Sequence, residues 1–185
     1  IDGIEGYKIE YPSPMRRPVI THLFTQKMSS KVNDIAPFMG SFIAVATMAD
    51  GVYTFSVDES GLTQVSHVDD TEAIFGVFAG EAMDGTLDRL YAVGPKYGMS
   101  VFSLASNGVI SFNTKPQSFG SYIDVVDAIG YDDDAQGEVR RVYVADYDGS
   151  MHIYNDDLEI ERTIELNTSI RKVIALGDYN GITGV

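Results

Sequence analysis

The sequence predicts an all-β protein built from consecutive antiparallel sheets, and three observations carry this prediction. Short runs of Val, Ile, Tyr and Phe alternate along the 185 residues with clusters of Gly, Asp, Asn and Ser, which is the pattern of strands joined by tight turns. One arrangement of strand, turn and strand occurs three times. The 18 glycines, 11 tyrosines and 9 phenylalanines are typical of many short strands in a chain long enough to bury a core.

The clearest copy covers residues 142–165 and predicts three antiparallel strands. The first strand, 142–144, ends in the turn 146–149, whose last residue, Gly149, can adopt a positive φ at no steric cost. The second strand, 151–154, leads through Asn-Asp-Asp to the third, 158–164. We interpret the Asp and Gly residues of 146–149 as turn formers rather than metal ligands.

Two further copies precede this one, with turns that end at Gly51 and Gly98. The three copies are therefore spaced by about 47 to 51 residues, which is the period of four-stranded propeller blades. With the three glycines in register, Phe55, Phe102 and Ile153 occupy the same place in each copy. A fourth, innermost strand is predicted before each copy and once after the third, at 35–38, 74–77, 122–126 and 170–174.

The stretch VYVADYDGSMHIYN, residues 142–155, resembles one repeat of the β-propeller superfamily, of the WD40-like, quinoprotein-like or LVIVD-repeat type. The resemblance covers residues 33–178 and implies a β-propeller, or part of one, with four-stranded antiparallel blades about every 48 residues. The chain has no tryptophan, so it lacks the Trp-Asp dipeptide of WD40 repeats and the docking motif of quinone-dependent dehydrogenases. The resemblance implies an architecture and no particular activity, because many functions share this fold.

The predicted division of the chain follows from the repeats. N-terminal strands lie in 1–30, three blades in 31–70, 71–118 and 119–168, and the start of a further blade in 169–185. The N-terminal strands, predicted at 7–11 and 19–24, either complete one blade with 170–174 or belong to a segment of a longer propeller. We favour the longer protein, because the last residues stop where a strand should begin. The first three residues are neither a signal peptide nor a normal translation start, which predicts a processed product or a piece of something longer.

The charge of the chain excludes several classes of partner. With 27 acidic and 13 basic residues, the net charge is −14, which argues against binding to nucleic acid or to an anionic membrane surface. No apolar run is long enough for membrane insertion. The absence of cysteine excludes disulfides and thiolate metal sites. An acidic, cysteine-free repeat protein favours a secreted or cell-surface location.

Acidic loops are the candidate binding surface. The connections between the first and second strands of the later blades, at 80–88, 130–138 and 177–181, are predicted to be long and to cluster on one acidic face. The candidate binding residues there are Asp84, Asp88, Asp132, Asp133, Asp134, Glu138 and Asp178.

Within this set, Asp132, Asp134 and Glu138 form a candidate Ca²⁺ site, because hard cations take several carboxylate oxygens from a glycine-containing loop. The spacing does not match an EF-hand. The alternative is a solvated acidic loop that keeps the surface soluble.

Catalytic signatures are absent, and the sequence leans toward a protein without enzymatic activity. There is no nucleophile elbow, zincin, P-loop or dinucleotide-binding motif. We interpret the three histidines, His22, His67 and His152, as strand residues rather than ligands or bases. We interpret the aromatic positions as packing between blades; they are Tyr53, Phe55, Phe102, Tyr143 and Tyr154.

The sequence therefore predicts a scaffold that binds a protein or carbohydrate partner through loops on one acidic face. One alternative is a metal-dependent hydrolase or lactonase-type propeller with its site at the central channel, for which the inner strands would offer Asp124, Asp127 and Glu72. The other alternative is a structural module of a larger assembly.

Overall fold

The computed structural model describes residues 3–13, 17–69, 72–82, 84–116, 120–132, 137–174, 176–179 and 182–184, with the backbone alone for 130–132, 176–179 and 182–184. These residues form strands and no helix. The strands are β1 (Gly3–Glu10), β2 (Val19–Lys27), β3 (Val32–Phe38), β4 (Phe42–Thr47), β5 (Val52–Asp58), β6 (Gly61–Val68), β7 (Gly76–Glu81), β8 (Leu87–Gly94), β9 (Gly98–Leu104), β10 (Ile110–Thr114), β11 (Tyr122–Asp132), β12 (Gly137–Asp146), β13 (Ser150–Tyr154), β14 (Ile160–Glu165), β15 (Leu176–Tyr179) and β16 (Ile182–Gly184). No helix in the described residues could span a membrane.

Three four-stranded antiparallel sheets form the body of the described structure. Sheet I contains β3 to β6, sheet II contains β7 to β10 and sheet III contains β11 to β14, each in sequential order. Two hairpins flank them, the N-terminal hairpin β1–β2 and the C-terminal hairpin β15–β16, each forming a sheet of its own. The all-β prediction and the three repeated meanders are thus confirmed.

The sheets pack face to face, and strand β8 shows how. Its side chains alternate, so that Leu90 and Ala92 enter the apolar core between sheets I and II. Tyr91 and Val93 enter the core between sheets II and III. Middle strands are consequently buried on both faces, which is why their sequences are continuous apolar runs instead of alternating ones.

The register of the third repeat corrects the predicted alignment. Pairing of Ala46 with Val52 and of Val93 with Met99 corresponds in sheet III to pairing of Ala145 with Met151. Ser150, not Gly149, is therefore the counterpart of Gly51 and Gly98.

As a result, Tyr154 replaces Ile153 as the counterpart of Phe55 and Phe102. All three aromatic rings point toward the preceding element of the chain: Phe55 packs with Ile4, Phe102 with sheet I and Tyr154 with sheet II. A shift of one residue exchanges the two faces of a strand. Alignment on Gly149 therefore assigned to Ile153 the face that Tyr154 occupies. Tyr53, Phe55, Phe102 and Tyr154 are buried, as predicted for packing between sheets. Tyr143 is only half-buried and packs against the cluster of Val126, Ala145 and Val173.

The innermost strands are joined by side chains that reach the next backbone. Asp34 of sheet I accepts a hydrogen bond from the Val77 amide of sheet II at 3.0 Å. Asp124 holds the equivalent position in sheet III and accepts from the Val173 amide at 2.7 Å. In sheet II this position is Gly76, where an added Cβ would lie 3.1 Å from the Asp124 Cα, so the two inner strands approach closely there.

The segment 170–174 differs from its prediction as a strand. It has no ladder partner among the described residues, although Val173 is buried against Val126 and Ala145 of sheet III. The strands that follow it, β15 and β16, pair with each other. In the described strands β1 pairs with β2, so the arrangement in which the N-terminal strands share a sheet with 170–174 is not observed.

The connections at 80–88 and 130–138 are shorter than predicted. Strand β7 extends to Glu81 and β8 begins at Leu87. In sheet III the ladder continues through Ile129 with Arg140 to Asp132 with Gly137. These strand ends project beyond the apolar interfaces, and charged residues therefore occupy them. Because of this charged composition, the strand ends resemble loops in the sequence.

Candidate functional site

The two ends of the stacked sheets carry different connections. In each sheet the first-to-second and third-to-fourth connections emerge at one end, and the second-to-third turn lies at the other. We call the end with the first-to-second and third-to-fourth connections the acidic end. It is defined by the exposed side chains of Asp58, Glu81, Asp84, Glu138 and Asp156. We call the other end the turn end, defined by the turns β4–β5, β8–β9 and β12–β13.

The sequence-predicted binding residues at the acidic end have different roles. Asp84 is exposed and accepts hydrogen bonds from the Thr86 hydroxyl at 2.6 Å and the Thr86 amide at 2.9 Å, and these bonds lower its pKa. It therefore shapes the turn. Asp88 and Glu138 lie on strands β8 and β12 instead of loops. Glu138 is exposed, whereas Asp88 forms ion pairs.

The remaining predicted residues are not placed in full. Asp133 and Asp134 lie outside the described residues. Asp132 and Asp178 belong to β11 and β15, but their side chains lie outside the described part. The Ca²⁺ site of Asp132, Asp134 and Glu138 therefore stays a prediction.

A cavity of about 760 Å³ lies between the inner strands. Its walls come from the end of β3, from β7 and β11, and from the segment 172–174, and they include Phe38, Val77, Phe78, Val125, Ile129 and Ile174. Glu81, Asp127 and Lys172 are its charged lining residues. Because Glu81 also belongs to the acidic end, exposed carboxylates lie beside a largely apolar cavity, and this combination is common in ligand sites.

A buried charged cluster joins sheets II and III beside this cavity. The Arg140 side chain is only 3% exposed. Its Nε donates to Asp127 Oδ2 at 2.8 Å, and its Nη2 lies 2.7 Å from the same oxygen in an ion pair. It also donates to Asp88 from Nη1 and Nη2 at 3.1 and 2.8 Å. Tyr91 donates its hydroxyl to Asp127 Oδ2 at 3.1 Å.

The electrostatics of the cluster follow from burial and pairing. Burial raises the pKa of Asp127, and the hydrogen bond from Arg140 opposes this rise. Burial alone would lower the pKa of Arg140, but the hydrogen bonds to Asp88 and Asp127 raise it overall. Asp127 Oδ1 is buried without a hydrogen-bond partner in the described structure. Arg140 therefore compensates a carboxylate that would otherwise be strongly destabilising.

Gly80 leaves the space that this cluster needs. A Cβ on Gly80 would lie 2.1 Å from Asp127 Oδ2 and 2.8 Å from the Tyr91 ring. We expect Gly80→Ala to lower the free energy of unfolding by about 1–3 kcal/mol, as overpacking does. Gly137→Ala is the control, because no atom lies within 4 Å of its Cβ, and it should change stability by less than about 0.5 kcal/mol. Urea unfolding measures both, and equal effects would contradict the steric argument.

The carboxylates of the hydrolase alternative do not converge. Asp124 accepts from the Lys172 ammonium at 3.0 Å and from the Val173 amide, whereas Asp127 is bound to Arg140. Glu72 precedes β7 outside any strand. In the part of the chain that the structure describes, none of them belongs to a group of three possible metal ligands. Asp50, His67 and Asp69 form such a group at the turn end.

The histidines lie in strands, as predicted. His22 on β2 contacts the Thr25 hydroxyl at 3.0 Å and the Tyr7 ring. His152 on β13 is 8% exposed and lies 3.1 Å from the Thr163 hydroxyl. His67 on β6 is the histidine that lies beside two carboxylates.

Sequence reasoning missed the role of Arg140. Its partners are 13 and 52 positions away, so no local spacing identified the cluster. One signal was available, since Arg140 lies in a strand whose buried positions are otherwise mostly apolar, and a charge there needs a partner.

The architecture defines the class of the chain: an all-β protein of four-stranded antiparallel sheets, compatible with a propeller-like repeat. No protein-family model matches the sequence. No curated protein is significantly similar to it.

Proposed function

We propose that the chain is a β-propeller, or part of one, and a non-enzymatic scaffold that binds a protein or carbohydrate partner at its acidic end. The observation that carries the proposal is the distribution of charge there. Exposed carboxylates, including Glu81 and Glu138, surround the connections of adjacent sheets, while Arg89 and Arg140 are held in ion pairs with Asp156 and Asp88. The surplus charge that faces a partner is therefore negative.

Rigidity supports this proposal. The connections are held by sheets whose cores are shared with their neighbours, so little conformational freedom is lost when a partner binds. The cavity beside Glu81 adds an apolar surface to the charged rim. A basic partner would gain charge complementarity, which is screened as salt rises.

The test uses an immobilised octalysine peptide and a panel of neutral oligosaccharides, with chelator present. We expect octalysine binding that weakens between about 0.05 M and about 0.5 M salt. The double variant Glu81→Gln with Glu138→Gln should bind about fivefold more weakly, as the loss of two exposed charges predicts. The double variant Asp69→Asn with Glu165→Gln removes the same charge at the turn end and should bind like the original chain.

Three results would count against the proposal or part of it. Equal weakening by both double variants would mean that overall charge, not the acidic end, attracts the peptide. If an oligosaccharide bound independently of salt and octalysine did not bind, the partner would be a carbohydrate and not a basic protein. Binding of neither probe would overturn the charge-based argument.

A further inference from the structure

A group of potential metal ligands lies at the turn end of sheet I, away from the acidic end. Asp50 belongs to the β4–β5 turn, His67 to the end of β6, and Asp69 follows β6. One ligand atom from each residue lies within 4.8 Å of the others. The group contains an imidazole nitrogen as well as carboxylate oxygens, which is a mixed ligand set of the kind that transition metals bind.

The imidazole is fixed by contacts with sheet I. His67 pairs with Tyr53 across β5 and β6, and the two rings stack with centroids 3.9 Å apart and planes 6° apart. His67 Nε2 lies 2.6 Å from the backbone oxygen of Asp50. A carbonyl oxygen can only accept, so Nε2 carries the proton and Nδ1 keeps its lone pair in the neutral ring. Metal-binding histidines commonly donate their other ring nitrogen in this way.

The first carboxylate is oriented by residues outside the group. Asp50 Oδ2 accepts hydrogen bonds from the Ser29 hydroxyl and, at 2.6 Å, from the Tyr53 hydroxyl. These two bonds fix the orientation of the Asp50 carboxylate. Both donors contact Oδ2, and Oδ1 is the oxygen that a cation would take.

The charge of the group calls for a cation. Asp50 and Asp69 contribute two negative charges, and in the described part of the chain neither forms an ion pair with Lys or Arg. Like charges at this separation repel one another. A divalent ion would neutralise both carboxylates and use the lone pair on His67.

We propose that Asp50, His67 and Asp69 bind a divalent transition metal ion, with Zn²⁺ as the probe of choice. One imidazole and two carboxylates are ligands that Zn²⁺ accepts, with water completing the coordination. Ca²⁺ is a poorer match, because it prefers six to eight oxygen ligands. The ion would tie the β4–β5 turn to the end of β6 and, through Ser29 and Asp50, to the segment that follows the N-terminal hairpin.

The test measures Zn²⁺ and Co²⁺ binding to the full 185-residue chain by calorimetry and by Co²⁺ absorption, after treatment with chelator. We expect one Zn²⁺ per chain and a thermal midpoint that rises with Zn²⁺ concentration. His67→Phe preserves a ring on Tyr53 but removes the ligand, and it should weaken Zn²⁺ binding more than about tenfold. Asp69→Asn, an exposed change, should weaken it similarly.

His22→Phe is the matched control, since it removes a strand histidine that contacts a tyrosine ring outside the group. It should leave Zn²⁺ affinity unchanged. Circular dichroism in chelator establishes that each variant is folded, and Asp69→Asn keeps the test decisive if His67→Phe unfolds. Equal Zn²⁺ affinity in the original chain and Asp69→Asn would overturn the proposal. So would stabilisation by Ca²⁺ alone that does not depend on His67.

Discussion

Replacing Phe102 by alanine is expected to lower the free energy of unfolding by about 3–5 kcal/mol. The ring is fully buried in the core between sheets I and II, and its loss would leave a cavity that close-packed sheets cannot easily refill. Urea unfolding followed by circular dichroism gives the difference from the original chain.

Phe112→Ala is the matched control for this prediction. Phe112 pairs with Phe102 across β9 and β10, with ring centroids 6.1 Å apart, but it is 59% exposed. Phe112→Ala should therefore lower the free energy of unfolding by less than about 1.5 kcal/mol, the upper value for the contact of one aromatic pair. Similar losses in the two variants would show that the core between the sheets is not packed as described.

Replacing Arg140 by methionine is expected to lower the free energy of unfolding by about 3–5 kcal/mol at neutral pH. The variant keeps an apolar side chain of similar length, but it leaves the buried Asp127 carboxylate without its partner. Arg141→Met is the control: Arg141 pairs with Glu161 on the surface, with side chains 24% and 42% exposed, and should cost at most about 1 kcal/mol. Equal losses would mean that Asp127 is compensated by another group.

The effect of pH provides a second readout for the same cluster. Burial already raises the pKa of Asp127, and Arg140 is its main opposing influence, so the rise should be larger in Arg140→Met. A raised pKa means that the folded state binds the proton more tightly than the unfolded state, and stability falls as pH rises through the folded pKa. The difference in the free energy of unfolding between the original chain and Arg140→Met should therefore narrow as pH is lowered from neutral toward the ordinary pKa range of an aspartate. If this difference in the free energy of unfolding did not depend on pH, the Asp127 carboxylate would be excluded as the cause of the destabilisation.

The parts of the fold that depend on local pattern were predictable from the sequence. Alternation and turn residues identify the strands and the three repeated meanders. Four of the five predicted packing aromatics are buried, and the fifth, Tyr143, is half-buried. The third repeat was misaligned because Gly149 resembles Gly51 and Gly98 by residue type, whereas the hydrogen-bonded register places Ser150 at that position.

The candidate sites were less predictable because they combine distant residues. Asp50 and His67 are brought together by the pairing of β5 with β6, and their separation of 17 positions corresponds to no local motif. Arg140 meets Asp88 only because sheets II and III pack against each other. Composition alone assigned acidic residues such as Asp88 to a binding surface, although ion pairing gives this carboxylate a structural role.

The N-terminal hairpin is attached to the body less firmly than the sheets are attached to one another. Ile4 is the one buried residue of β1 and β2, whereas Tyr7, Ile9 and Ile20 are all more than half exposed. Elements with few buried apolar contacts open at a lower free energy than the core. The hairpin should therefore behave as a separate cooperative unit, which can detach and reattach while the three stacked sheets stay folded.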